Sequence, residues 1–346
     1  MIASLAAALL FSGCISQPAH HASHFQAGES LVLVGEQPAN LAFTPTPSRP
    51  LDVRSTYRER LTKTIHYEAG RDFVLTGTGG IQRTPDSRIP DFGTNVLYGK
   101  EDFNHLQFPG FGNGPFFVYV DYSHREPWKR VAAKAESSAR VLPATRKKLR
   151  AGGAVRIVAY GDSITTGGEA TEAGLIFSER WVEALRKKYP KARIESFNGA
   201  TGGDTTAQGV QRLEVKVVSQ KPDLVLIGFG MNDHNREGYG VPLAKFANNL
   251  RTMIDRIRTE TRAEIVLFSA FPPNPKWHFG SHNMAAYAEA TEAVARENHC
   301  AYADVYHLWQ QFAARKKPED LLANNINHPN DFGHWVYFQA LQSLGL

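Results

Sequence analysis

From Ala154 to the end of the chain, short apolar runs alternate with stretches of helical period, and this alternation constrains the fold more than any other feature. Val155 to Tyr160, Arg193 to Phe197, Asp223 to Phe229, Ile265 to Phe271 and Ala301 to Tyr306 read as strands. Between and after them, helical spacing recurs: Phe177 to Tyr189 with Trp181 and Leu185; Leu243, Phe246, Leu250, Ile254 and Ile257; Tyr287, Thr291 and Val294; and a closing run from Trp335 to Leu344. Parallel strands need long crossovers, usually helical, so the pattern predicts a parallel, doubly wound α/β sheet. The near-continuous apolar run at Asp223 to Phe229 fits a strand covered on both faces. Ligands meet such sheets outside the carboxyl ends of the strands, so the chemistry is expected in the segment that follows each one.

The residues before Ala154 are organised differently. Residues 30–123 carry short β-like runs broken by Gly and Pro, which predicts a small antiparallel β-sandwich. Thr64 to Tyr67 and Phe73 to Leu75 flank Glu68 to Asp72, which reads as a hairpin turn. In the strongest strand, Phe116, Val118, Val120 and Tyr122 alternate onto one face. Residues 124–153 read as a helical linker: Trp128, Val131, Ala132, Ala135 and Ala139 have helical spacing, Pro143 ends it, and Lys147 to Gly153 form a basic junction. Residues 1–29 read as a leader and tether. Met1 to Phe11 is an apolar run of signal-peptide length, too short to span a bilayer, and Phe11-Ser12-Gly13-Cys14 resembles a bacterial lipobox. That resemblance implies export to the periplasm or cell envelope, with membrane attachment through a lipidated Cys14. Ile15 to Glu29 is polar, holds His20, His21 and His24, and reads as a flexible tether.

Composition narrows the function. The chain has 346 residues, 42% of them hydrophobic and 21% charged, enough for two domains with cores of their own. Two cysteines, Cys14 and Cys300, allow no disulfide framework and no cysteine zinc site, and Cys300 sits in a strand-like setting that suits packing. A net charge of +5 is small and scattered, so no nucleic-acid partner is expected. No metal or cofactor motif is visible.

Four polar clusters follow predicted strands or close the chain: Gly161 to Thr165, Asn198 to Thr206, Gly230 to Asp233 and Asn325 to Asp331. Together they meet the needs of acyl transfer. Ser163, at a strand-to-helix turn, can act as nucleophile if a base lies beside it. His328 is the best base, since imidazole titrates near neutrality. The backbone N–H of Ser163, the backbone N–H of Gly203 and the side-chain amide of Asn232 can hold an oxyanion. Asp162 is expected to pin its turn, Asp233 to orient the oxyanion loop or brace it, Asp331 to cap a helix, His334 to pack or line the rim, and His234 to line the pocket ahead of His282.

The four clusters, in order, resemble the GDSL esterases and lipases, also called SGNH hydrolases after the Ser, Gly, Asn and His of their four blocks. Ser163, Gly203, Asn232 and His328 match those blocks, within Gly-Asp-Ser, Gly-Gly-Asp-Thr-Thr, Gly-x-Asn-Asp and His-Pro-Asn-Asp. The resemblance spans roughly Val155 to Leu344 and implies a flavodoxin-like hydrolase domain over residues 154–346. It departs in one place: the family usually has Asp three residues before the last-block His, and this chain has Asn325. Either a backbone carbonyl orients His328, giving a Ser–His dyad as in some two-domain carbohydrate esterases of the superfamily, or Asn325 supplies the oxygen. By resemblance the substrate is a short acyl ester, an O-acetyl group on carbohydrate foremost. The alternatives are a non-catalytic carbohydrate-binding surface lipoprotein with a vestigial hydrolase domain, and a lysophospholipase or thioesterase of the same fold.

Overall fold

The computed structural model describes residues 24–47, 49–59, 63–77, 79–126 and 140–346. The apolar leader, Cys14, His20, His21 and the helical spacing from Trp128 to Ala139 lie outside the described residues.

The first seven strands are β1 (His24–Leu31), β2 (Ala39–Asn40), β3 (Asp52–Arg54), β4 (His66–Tyr67), β5 (Phe73–Leu75), β6 (Gly80–Arg83) and β7 (Val118–His124). They form two antiparallel sheets, ordered β1-β7-β3-β4 and β2-β6-β5. Leu31, Val53, Val118, Val120 and Tyr122 of the first sheet share one core with Ala39, Phe73 and Ile81 of the second, which is the expected sandwich.

Several local expectations are corrected. The tether does not run to Glu29, because β1 begins at His24 and pairs with β7 over His24 to Gln26 and Glu29 to Leu31, with a bulge between. Gln26, Glu29 and Ser30 are buried polar residues of that strand, and their polarity hides it from a hydrophobic pattern. Glu68 to Asp72 is not a hairpin turn, since β4 and β5 belong to different sheets. There the chain crosses between layers, pinned by the Asp72 carboxylate, which accepts from the Glu68 and Arg88 N–H groups and pairs with the Arg88 guanidinium. Phe116 lies in a 3-10 turn before β7, and β7 is buried on both faces. Phe117 and Tyr119 pack on its far side with Val32, Phe92 and Ala323. Pro143 opens a helix, α1 (Pro143–Arg150), where the missing proline N–H costs nothing. Part of the basic junction is therefore helical, with Leu149 buried and Lys148 paired with Asp223.

The remaining elements are β8 (Ala154–Gly161), α2 (Ser163–Thr166), α3 (Phe177–Lys188), β9 (Arg193–Asn198), α4 (Thr206–Lys216), β10 (Leu224–Gly228), α5 (Leu243–Glu260), β11 (Glu264–Phe268), α6 (Met284–Glu297), β12 (Ala301–Ala303), α7 (Val305–Ala313) and α8 (Asp331–Gln342). The five strands are parallel in the order β9-β8-β10-β11-β12, the flavodoxin-like arrangement. Helices α3, α7 and α8 pack together, as do α4, α5 and α6, so the sheet is enclosed, its middle strand β10 is wholly buried and β11 is buried from Ile265 onward. The strand order reverses between β8 and β10, and the crevice at their carboxyl ends is where a site is expected.

Candidate active site

Ser163 is placed by the abrupt end of β8. A Cβ on Gly161 would stand 2.2 Å from the Gly228 carbonyl oxygen and 2.4 Å from Thr165 Oγ1, so only glycine fits between the two strands. Asp162 is extended, and its buried carboxyl accepts from the Ile164 N–H at 2.9 Å, capping α2. This is the turn-pinning role expected of it. Burial pushes the Asp162 carboxyl up to about 7, against the opposing pull of that hydrogen bond and of His328. Ser163 is the first residue of α2, and Gly167 ends the helix in the left-handed region.

His328 arrives on a loop organised by asparagines. Asn324 Oδ1 accepts from the N–H groups of Ile326, Asn327 and His328 at 3.0, 3.0 and 2.9 Å. Asn330 caps α8 through the Gly333 N–H, so the cap expected at Asp331 falls one residue earlier. Asp331 instead binds Thr171, accepting from its N–H at 2.9 Å and its hydroxyl at 2.7 Å. The result is that His328 Nε2 lies 2.8 Å from Ser163 Oγ across a separation of 165 residues.

The other two blocks clasp each other beside this pair. Gly203 has φ +79°, a conformation that suits glycine, and a Cβ on the preceding Gly202 would lie 3.8 Å from Ser163 Cβ. Asn232 donates one amide N–H to the Asp204 carbonyl at 2.9 Å. Asp233 accepts from Thr206 N–H at 2.9 Å and from its hydroxyl, so it braces the segment that carries Gly203. Among the described residues, the N–H groups of Ser163 and Gly203 and the second amide hydrogen of Asn232 donate to no other protein group. Three donors are therefore left uncommitted on the segments that carry the first, second and third blocks.

Asn325 does not join the site. It is buried with φ +58°, and its backbone and side-chain oxygens both accept from Asn274 Nδ2, at 2.9 and 3.1 Å. His328 Nδ1 has no hydrogen-bond partner among the described residues, so neither Asn325 nor a backbone carbonyl orients the ring. The nearest charged group is Glu169 Oε1 at 3.7 Å, on the loop after α2. Its neighbours Gly167 and Gly168 give the sequence no catalytic signature, and the residue goes unnoticed there.

His234 is wholly buried, not in a pocket wall. Its Nδ1 binds the Met231 carbonyl at 2.6 Å, and burial pushes its imidazole down to about 4. His334 is likewise buried, stacked on Phe177, and pushed down to about 3. Cys300 is buried and its thiol is pushed up to about 11, in keeping with packing. A cleft of about 320 Å³ opens beside the site, between the sandwich (Tyr57, Phe117, Tyr119) and the α/β unit (Glu169, Thr171, Asp331).

Residues 159–336, just over half of the chain, match the GDSL-like lipase/acylhydrolase family. Over 147 residues the chain is 31% identical to esterase TesA of Pseudomonas aeruginosa, covering 42% of this chain and 67% of that one. Over 214 residues it is 23% identical to an acetylxylan esterase of Geobacillus stearothermophilus, covering 57% of this chain and 97% of that one. A crystal structure of a two-domain esterase active on acetylated mannans shares the fold, with a TM-score of 0.50 at 23% identity over 60% of this chain and 56% of that one.

Proposed function

The chain belongs to the GDSL-like lipase/acylhydrolase family and is a carboxylic ester hydrolase, and from that premise we propose that it is an exported serine esterase that removes short acyl groups, chiefly O-acetyl, from carbohydrate. The observation that carries the mechanism is the 2.8 Å contact between Ser163 Oγ and His328 Nε2. In this reading Oγ attacks the acyl carbon as its proton passes to Nε2. The negative charge moves to the carbonyl oxygen, which the Ser163 N–H, the Gly203 N–H and the free Asn232 amide hydrogen stabilise. The imidazolium then protonates the departing sugar oxygen, and a water activated by the same imidazole releases the acid and restores Ser163.

The acetylated-carbohydrate assignment draws support from the acetylxylan esterase relative and from the cleft between the sandwich and the hydrolase unit. Export and attachment at Cys14 draw support from the lipobox-like Phe11 to Cys14. The test is an acyl-ester series from acetate to long chains, with acetate release from acetylated polysaccharides and peptidoglycan, on wild type and Ser163→Ala. Turnover of acetyl esters that vanishes in Ser163→Ala is the expected result. Equal background rates for both proteins would favour a carbohydrate binder, and a preference for long chains a lysophospholipase or thioesterase.

A further inference from the structure

Resting on the serine-esterase reading above, we propose that Glu169 is the positioning acid of His328, supplied by the loop that follows the nucleophile's own helix in place of the acid absent at position 325. For Nε2 to take the serine proton, the ring must carry its other proton on Nδ1, and that N–H needs an acceptor. Asn325 is engaged by Asn274, and no other acceptor bonds Nδ1 among the described residues. Glu169 Oε1 is the carboxylate that approaches it, at 3.7 Å. That is too long for a hydrogen bond in the resting enzyme, but such contacts tighten as the transition state forms. When the imidazole gains a proton the pair becomes fully charged, and a closure of under an ångström brings it to the about 2.7–2.9 Å of a charge-assisted bond. Glu169 stays ionised throughout and takes no proton.

The loop is built to hold the carboxylate there. Glu169 has φ +66°, a left-handed conformation that costs a side-chain-bearing residue free energy and persists only when neighbours enforce it. Here they do so from both sides. Gly168 N–H donates to the Ser163 carbonyl at 2.9 Å, and the Gly168 carbonyl accepts from His334 Nε2 at 3.3 Å. Two residues beyond Glu169, Thr171 is bound twice by Asp331. A Cβ on Gly168 would fall 3.3 Å from His328 Nδ1 and 2.9 Å from the Ser163 carbonyl oxygen, so glycine is what lets the loop lie against the ring. The strain is thus located on the residue whose carboxylate lies 3.7 Å from Nδ1. The imidazole in turn holds the Glu169 carboxyl below its usual range, keeping it charged near neutrality.

Besides Glu169, Asp162 before α2 and His334 on α8 lie within electrostatic reach of this imidazole, while Glu172 on the same loop and Arg180 on α3 face Asp331 on α8. Asp162 caps α2 and Asp331 holds Thr171, so neither is free to replace Glu169. Because the Glu169 side chain is 48% exposed, its effect should fall well short of that of a fully buried acid bonded to a catalytic histidine.

The experiment measures kcat, KM and the pH profile of kcat/KM on 4-nitrophenyl acetate for wild type and for Glu169→Gln, Glu169→Gly and Glu169→Asp, with Ser163→Ala alongside. Glu169→Gln keeps the backbone strain and Glu169→Gly relieves it, so a loss common to both is the loss of the carboxylate. Both should lower kcat about 10- to 100-fold with KM within about twofold. Both should also move the acid limb to lower pH, since a neighbouring carboxylate favours imidazolium. Glu169→Asp should return part of the rate and part of the limb. An unmoved limb and wild-type kcat in Glu169→Gln, with Ser163→Ala inactive, would overturn the role of Glu169 and leave the esterase reading intact. An active Ser163→Ala would overturn that reading itself.

Discussion

Asn232 commits one amide hydrogen to the Asp204 carbonyl and keeps the other, so a single side chain fixes the second block against the third and, in the proposed mechanism, supplies an oxyanion donor. Truncating it removes both. Asn232→Ala should lower kcat about 100- to 1000-fold, the usual effect of losing one oxyanion donor, with KM nearly unchanged because the interaction forms in the transition state. Steady-state kinetics on 4-nitrophenyl acetate checks this, and a rise in KM at constant kcat would assign Asn232 to ground-state binding instead. At this scale the sequence is most legible where chemistry demands a residue type. The proposed chemistry needs a nucleophile, a base, a glycine with positive φ and an amide, and Ser163, His328, Gly203 and Asn232 stand out as candidates before any coordinates; of these, the structure brings Ser163 and His328 into hydrogen-bond contact. Glu169 could not, since an acid acting on an imidazole can come from any segment that passes near it. Asn325 misled for the same reason: it holds the family's position in the chain but faces Asn274 in space.

Each element that carries the site is anchored at its first turn. Thr205 caps α4 in a reciprocal arrangement with Gln208, Asn330 caps α8, and Asp162 caps α2 beside Ser163. The Asp162 cap carries a pH-dependent cost. Burial raises its carboxyl from 3.8 to about 7, so the folded state binds that proton more tightly than the unfolded chain. The stabilisation from this group is full below about pH 4 and is lost as pH rises to about 7. Asp162→Asn keeps an oxygen for the Ile164 N–H and removes the ionisation. Its Tm should exceed that of wild type by more at pH 8 than at pH 5, and a pH-independent difference would mean that the carboxyl titrates as in water. The inner parallel strands β10 and β11 were legible as elements because burial on both faces leaves near-continuous apolar runs. The sandwich was less so. Its strands are short, β1 is studded with buried polar residues, and a turn-like stretch at Glu68 to Asp72 proved to be a crossing between sheets.

The two units are joined through the loop that delivers His328. Ser30 on β1 donates to the Asp320 carbonyl and accepts from Asn330 Nδ2 at 2.8 Å, and the Val32 N–H donates to the Asp320 carboxyl at 2.9 Å. Beneath them Glu29 and Lys316 form an ion pair at 2.7 Å with no exposure on either side chain, and Glu29 also accepts from Tyr122 Oη and the Ala42 N–H. These contacts join residues nearly 300 apart, and no local pattern in a single sequence encodes them. They give the sandwich a physical role, since strand β1 braces the segment two residues from His328. Lys316→Met should lower unfolding stability by about 3–5 kcal/mol, because it strands a buried carboxylate whose other partners are neutral. Adding Glu29→Gln removes the stranded charge while keeping an acceptor for Tyr122 and Ala42, so the double variant should recover part of that loss. Urea midpoints for the two proteins decide the matter. A double variant no more stable than Lys316→Met would mean that the cost lies in the lost packing of the lysine stem and not in an unpaired charge.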